Sequence, residues 1–490
     1  MRVIYIDIDS MRTDHLSCYG YHRKTSPNLD ALAAQGVRFT NYYATDTPCL
    51  PSRTALFTGR FGIHTGVVNH GGTQADIRVE GPGRGFRSKS TDWALAERLR
   101  QAGWYTASIS PFPHRHSAYH VWEGFHETFD SGSNGHERAE VVYPYVERWL
   151  ENNAKRDKWF LHFNYWDPHT PYDTPLEYGE PFKDDPPPAW VTQSVIDKQR
   201  QSYSPHDIQR PHSNYKADKL PWPRGVHEIK TPADFKKWID GYDTGIHYAD
   251  HYVGKVVQKL KDLGIYEDTA IIVSSDHGEN HGELEVWGDH QTADQITNNV
   301  PLIVKWPGLT DDKAGRVFKG KHYNIDLAST LVDLFGGTQP ECWDGQSFAE
   351  TLRSGKETGR ESLVLSQGAW SCQRSARWDD WILIRTYHTG HKNFPSLMLF
   401  NLKDDPHEQH NLASKRPDLV NHGLRIIDGW VAEQLKKSGQ PDPLHQVIAE
   451  GGPLHANAKN LPGFAAFLRE TGREAHAAWL EKYDGAPREA

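Results

Sequence analysis

Short apolar runs of strand character alternate with helix-forming segments through most of the chain. That alternation restricts the fold to a mostly parallel sheet covered by helices on both faces. Val3–Ile8 is the first run, and acidic residues follow it. Ser26-Pro27 opens a helix that ends near Gly36: Ser is a favoured cap, Pro suits the first turn and Gly suits the exit. Thr91 to Gln101 reads as a second helix closed by Gly103, and WYTASIS after it as a strand. Val141–Glu151 reads as a helix and KWFLHFNYW as the next strand. The stretch 180–230 is polar and Pro-rich and reads as a surface excursion. Thr231-Pro232 restarts a helix that runs toward Leu263-Gly264, and TAIIVSSDHGE and VPLIVKWPG are further buried strands. Beyond Ser362 the pattern changes: WILIRTY and SLMLFNL suggest antiparallel strands, with a helix near Asp418–Lys437. The expected division is a catalytic domain over 1–361, with an insertion at 180–230, and a smaller α+β unit over 362–490.

Composition excludes some functions. The 490 residues carry a net charge of −9, with 24% charged and 37% hydrophobic residues. There is no basic footprint for nucleic acid, so an anionic ligand would need a local cluster of His, Arg or metal. No stretch approaches a membrane span, and the early acid Asp7 breaks any secretory leader in MRVIYIDIDSMRTDH. The expectation is a cytoplasmic protein, or an exported one if a leader has been removed. The 4 cysteines are too scattered for a disulfide framework. The 28 His and 17 Trp are high counts that by themselves assign nothing.

In open α/β sheets ligands bind beyond the carboxyl ends of the strands. Two strands here end in metal-capable residues, one at Asp9, the other at Asp276-His277 followed by Glu279. Carboxylates with imidazole suit a divalent cation. Taken singly, each acid equally reads as a helix cap or turn residue. Asp7 and Asp9 face the same side of the first strand; Asp9, at the exit, is the expected ligand and Asp7 a supporting group. Cys49 sits at the start of a helix in TPCLPSRTALFTGR. The helix dipole would acidify it, giving an activated thiolate, although a lone buried cysteine that merely packs is equally open on local chemistry.

CLPSR matches Cys-x-Pro-Ser-Arg, the signature of the type I sulfatases, and TALFTGR continues their pattern. IDSMRTDHLSCYGY, TSPNLDALAAQGVRFTNYYA, SSDHGE, NNVPLIVKWPG and LFNLKDDPHEQHNLA resemble further landmarks of that family, in order, over most of the chain. The resemblance implies an α/β, alkaline-phosphatase-like fold: a large mixed sheet between helices, with a smaller antiparallel C-terminal subdomain. It implies that Cys49 is oxidised by a maturase to formylglycine, whose hydrate attacks sulfur beside a cation. Asp9, Cys49, Asp276 and His277 would then be the metal set, for Ca2+ or alternatively Mn2+, Mg2+ or Zn2+. Arg53 would hold the diol, and His169 would protonate the leaving group. The substrate would be a sulfate ester, by family habit on a sugar or oligosaccharide.

Three departures from the pattern stand out. Ser10 follows Asp9 where many relatives have a second Asp. SPFPHRHS replaces the usual Gly-Lys-x-His, leaving His114, Arg115 or His116 to grip the anion. His290 stands where a lysine is expected. Asn69 and His70 are further candidates to line the pocket. A phosphonate monoester hydrolase or phosphodiesterase of the same fold stays open as an alternative, as does a non-catalytic binder of sulfated glycans.

Overall fold

The computed structural model describes residues 1–81, 89–132, 135–212, 223–457 and 459–483. Its main sheet contains β1 (Arg2–Ile8), β2 (Val37–Phe39), β3 (Tyr105–Ile109), β4 (Glu127–Phe129), β5 (Trp159–Tyr165), β6 (Thr269–Ser274), β7 (Leu302–Lys305) and β8 (Val317–Phe318). These run in the order β8-β2-β7-β6-β1-β5-β3-β4. Only β7 runs against its neighbours, β6 and β2. β1 is the central strand. Its side chains divide by parity, as a buried strand requires. Ile4, Ile6 and Ile8 enter one core with helices α1 (Pro27–Gln35), α3 (Ala139–Asn153) and α4 (Pro232–Asp262). Val3 and Tyr5 enter the other, with α2 (Cys49–Thr58) and α5 (Asn324–Leu334).

Register fixes where the chemistry gathers. Asp7 pairs with Asn164 of β5 and Ser274 of β6. The two central strands therefore finish level, and Asp9 and Asp276 both lie just past the same edge. The second sheet is antiparallel, built from β9 (Ser362–Gln367), β10 (Cys372–Trp378), β11 (Trp381–His388) and β12 (Leu397–Asn401). Helix α6 (Pro417–Ser438) covers it through Val420 and Ile427. The short strand Asp46–Thr47 adds to β9 in parallel, so the chain just before Cys49 is anchored in this second sheet.

Three local expectations are corrected. The helix expected from Thr91 starts at Leu95, after a 3-10 turn over Lys89–Trp93. Ser26 precedes α1 but its hydroxyl bonds Asp30 rather than a helix N–H. The described part of 180–230 is not a purely surface excursion: Val191, Ile196, Tyr203 and Ile208 are buried. Tyr203 packs under Phe464 and Leu468 near the C-terminus; residues 213–222 lie outside the described set. Helix α4 is continuous over 31 residues and starts with a capping box between Thr231 and Asp234. Among the described residues, no helix is long and apolar enough to cross a membrane.

Ile6 is wholly buried at the centre of β1. Replacing it with Ala is expected to cost about 2–5 kcal/mol of stability, read from urea unfolding; a loss well below that range would show that β1 is not the packed centre of the domain.

Candidate active site

The cluster is built from the ends of β1 and β6 and the start of α2. Ser10 sits at φ 55°, a strained conformation for a residue with a Cβ. Its N–H donates to Asp276 Oδ1 (3.2 Å) and its hydroxyl to Asp9 Oδ1 (2.9 Å). Tyr242 of α4 donates to the Ser10 carbonyl (2.7 Å). The turn after β1 is thus held from the sheet and from α4, and it fixes Asp9 beside Asp276. On the other side, Ser52 Oγ donates to the Asp276 carbonyl (2.7 Å), and Asn324 of α5 donates to the Ser52 carbonyl (3.1 Å). The Ser of CLPSR therefore ties α2 to the end of β6, placing Cys49 over the acids. After His277 the chain passes so close to its neighbour that a Cβ on Gly278 would lie 2.1 Å from the Ile296 carbonyl oxygen, so only glycine fits.

Arg53 crosses all three acids. Its Nε donates to Asp7 Oδ2 (2.7 Å), and its Nη1 to Asp9 Oδ2 (3.0 Å) and Asp276 Oδ2 (2.6 Å). The guanidinium lies over the Phe112 ring at 4.3 Å, and its Nη2 is buried with no hydrogen-bond partner. One positive charge thus faces three buried carboxylates. Burial, followed by Asp9 and Asp7, pushes Asp276 upward against the pull of Arg53.

The donors converge. Asp9, Cys49, Asp276 and His277 each bring one donor atom within 4.8 Å of the others. His277 Nδ1 donates to the Gly278 carbonyl (2.8 Å), which leaves Nε2 as a lone-pair atom. That atom lies 3.3 Å from Cys49 Sγ, 3.4 Å from Asp276 Oδ2 and 3.8 Å from Asp9 Oδ1. Lone pairs facing carboxylates repel unless a cation sits among them, so the donor set fits a divalent metal. Of the two readings left open for Cys49, the metal-free site does not favour the acidified thiolate: burial, then Asp9 and Asp276, pushes the thiol well up. An unmodified Cys49 is therefore a poor nucleophile here.

An open cleft of about 200 Å³ leads to Cys49. Of the candidates, His70, Arg115, His116, His169 and His290 line it. His169 stacks on Trp166 (centroids 4.0 Å apart) and its Nδ1 donates to the Thr170 carbonyl, so Nε2 faces the cleft. Glu279 holds that loop, accepting from Tyr172 Oη and Thr170 N; burial lifts it to about 8. Arg115 lies over Trp166 at 4.2 Å. His290 Nε2 is 3.3 Å from Asp289 Oδ1. Burial drives His70, His169 and His290 well below the usual imidazole range, and His116 down to about 3. The cleft walls are therefore polar but largely uncharged. His114 is not brought to the cleft: it faces solvent and pairs with Asp130 at 3.3 Å. Asn69 stands behind the wall, accepting from the N–H groups of His70 (2.8 Å) and Leu454 (3.2 Å).

Sequence reasoning missed several wall residues, among them His206, Asp289, Trp370 and His455. His206 and Asp289 face each other at 3.2 Å. His455 bonds His70 (2.8 Å) and stacks on Trp370 (4.5 Å). The His and Trp counts were the only signal, and nothing local tied them to Cys49.

A sequence model described as sulfatase matches residues 2–337, and one described as N-sulphoglucosamine sulphohydrolase, C-terminal, matches 282–422. The chain belongs to the sulfatase family. A relative from Formosa agariphila, named an ulvan-active sulfatase, is 25% identical over 441 residues, covering 84% of this sulfatase and 77% of the relative. Among solved structures, one described as being in complex with D-glucosamine-2-N,6-O-disulfate superimposes with a TM-score of 0.70 at 18% identity, covering 90% of this chain and 99% of the other. The phosphonate monoester hydrolase of Agrobacterium radiobacter superimposes at 0.66 with 20% identity, covering 89% and 96%. The fold is thus alkaline-phosphatase-like, and the sulfatase is a sulfuric ester hydrolase. The family generally uses a cysteine-derived formylglycine and a divalent metal, and the acids and imidazole clustered about Cys49 suit both.

Removing the guanidinium should unbalance this cluster. Arg53→Ala is expected to destabilise the metal-free protein by about 3–5 kcal/mol, with a divalent cation restoring part of the loss in thermal unfolding. Unchanged stability in chelator would contradict the charge arrangement.

Proposed function

We propose that this sulfatase desulfates a carbohydrate sulfate ester, using formylglycine at position 49 and a cation held by Asp9, Asp276, His277 and the modified side chain. The observation that carries the reading is the convergence of those donors on Cys49 at the floor of a single cleft. Formylglycine hydrate supplies an oxygen nucleophile, and the cation, Ca2+ by the preference of carboxylate donors or else Mn2+, Mg2+ or Zn2+, supplies positive charge against the sulfate. Residues Cys49 to Arg53 are buried, so a formylglycine-generating maturase must read them before the chain folds.

The remaining roles fall to the chain's own groups. Arg53 Nη2 is an unspent donor for an anion at the α2 terminus. Arg115, a cation on the cleft wall, meets the sulfate where relatives use lysine. His169 presents Nε2 to the leaving oxygen; the incoming anion raises its proton affinity, so it enters the complex able to donate. His116 lines the anion's other side as a neutral donor, and His290, with Nε2 beside Asp289, closes the cleft next to it. Trp370 and His455 offer a flat wall on which a sugar face can lie. The two carbohydrate-linked descriptions among the similar proteins support this class of substrate.

Neutral imidazoles in place of ammonium groups suit a monoanionic ester, and a phosphodiester is also one. Comparing turnover of a sulfated monosaccharide panel with a phosphodiester decides the matter. We expect kcat/KM to favour a sulfated sugar by at least about 100-fold and to fall by at least about 1000-fold in Cys49→Ala. Preference for the phosphodiester would assign the alternative chemistry; turnover of neither would assign a binder.

His169→Ala is expected to slow a sugar sulfate about 100-fold or more while sparing an activated aryl sulfate, whose leaving group needs no proton. Equal loss on both substrates would remove His169 from leaving-group protonation.

A further inference from the structure

Cys49 belongs to a second donor set that the hydrolysis reading does not use as a unit. Cys49, His169, His277 and His290 each bring one ligand atom within 4.8 Å of the others, and all four residues are buried. The three imidazoles are oriented like metal ligands. His277 Nδ1 is tied to the Gly278 carbonyl and His169 Nδ1 to the Thr170 carbonyl, which leaves both Nε2 atoms as lone-pair donors. His290 Nε2 lies against Asp289 Oδ1, and its Nδ1 is buried without a hydrogen-bond partner. Two of the rings thus have Nδ1 held by a carbonyl, with His277 Nε2 already against Cys49 Sγ, and the third has Nδ1 without a partner.

We propose that, while Cys49 keeps its thiol, the chain carries a tetrahedral one-cysteine, three-histidine site for a borderline-soft divalent cation such as Zn2+. The donor types select that class of metal: three nitrogens and one sulfur suit Zn2+ and repel the oxygen-seeking Ca2+. Bond lengths of about 2.3 Å to sulfur and about 2.0 Å to nitrogen imply ligand-to-ligand edges of about 3.5 Å. The 3.3 Å between Cys49 Sγ and His277 Nε2 is already close to such an edge. Binding displaces the thiol proton to solvent and adds no other chemistry. The site exists only in chains that fold with the thiol unmodified, because the aldehyde has no sulfur to offer. It also competes with the carboxylate-bound cation, because Cys49 and His277 belong to both sets. The modification at position 49 thus changes which metal the cleft holds, from one bound by imidazoles and sulfur to one bound by carboxylates.

The test uses the full chain made without a maturase, with the thiol at Cys49 verified by peptide mass, and Co2+ as the probe. Co2+ is expected to give a thiolate-to-metal charge-transfer band with tetrahedral visible bands, displaced by stoichiometric Zn2+. Cys49→Ala should abolish the band. His169→Ala and His290→Gln should each weaken binding at least about tenfold, with circular dichroism confirming the fold. Asp9→Asn should keep the band, and the matured protein should lack it; this last comparison needs no substitution. A band that survives both histidine variants, vanishes in Asp9→Asn, depends instead on His70 or His116, or never forms in the folded thiol protein would overturn the proposal. None of these outcomes bears on whether the matured enzyme cleaves sulfate esters.

Discussion

A single guanidinium shared among three buried carboxylates is the constraint on which the site depends. Arg53 reaches Asp7, Asp9 and Asp276 from one turn inside α2. Burying that many acids is tolerable only because the pairing is short and well formed, and when all three ionise one guanidinium leaves negative charges over. Those residual charges call for a divalent cation. The architecture around them serves to keep the acids together: β1 and β6 end level, Tyr242 and Ser52 hold the two turns, and glycine at 278 lets His277 approach.

The cleft above this floor is built on a different principle. Its walls are imidazoles kept neutral by burial, among them His206 and His116, both lowered to about 3, and His455, lowered to about 4. Such walls add no fixed charge that would favour a dianion. Arg115, on the wall beside His116, is the exception. The wall is assembled from distant segments. His206 comes from the polar stretch before α4, whereas Trp370 and His455 come from the region of the second sheet and beyond. Asn69 binds the strap that carries His455 to the strand-end side of the cleft. The second sheet is therefore part of the site's construction, and it also receives the strand Asp46–Thr47 that leads into Cys49.

Much of this was legible in the chain. The apolar strands, their terminal acids and the helix carrying Cys49 are local signals, and β1, β5, β6, α1 and α4 fall where their patterns put them. Strand periodicity put Asp7 and Asp9 on one side and only the position at the strand exit favoured Asp9; the structure puts Asp9 in the converging donor set and Asp7 on Arg53 Nε. What was hidden is long-range. The dipole at the start of α2 argued for an acidic thiol, but burial and two nearby carboxylates outweigh it. SPFPHRHS offered three cations with no means of choosing; the fold turns His116 and Arg115 to the cleft and His114 to Asp130. Val191 and Ile208 look like isolated apolar residues in a polar stretch until the main core is seen to enclose them.

The most direct test is the metal content of the matured, freshly purified enzyme, measured by elemental analysis alongside an Asp9→Ala, Asp276→Ala double variant. The account predicts one divalent ion per chain in the native enzyme and none in the variant, with sulfate ester hydrolysis lost in parallel. Full hydrolytic activity in a native enzyme stripped of every divalent ion would contradict it.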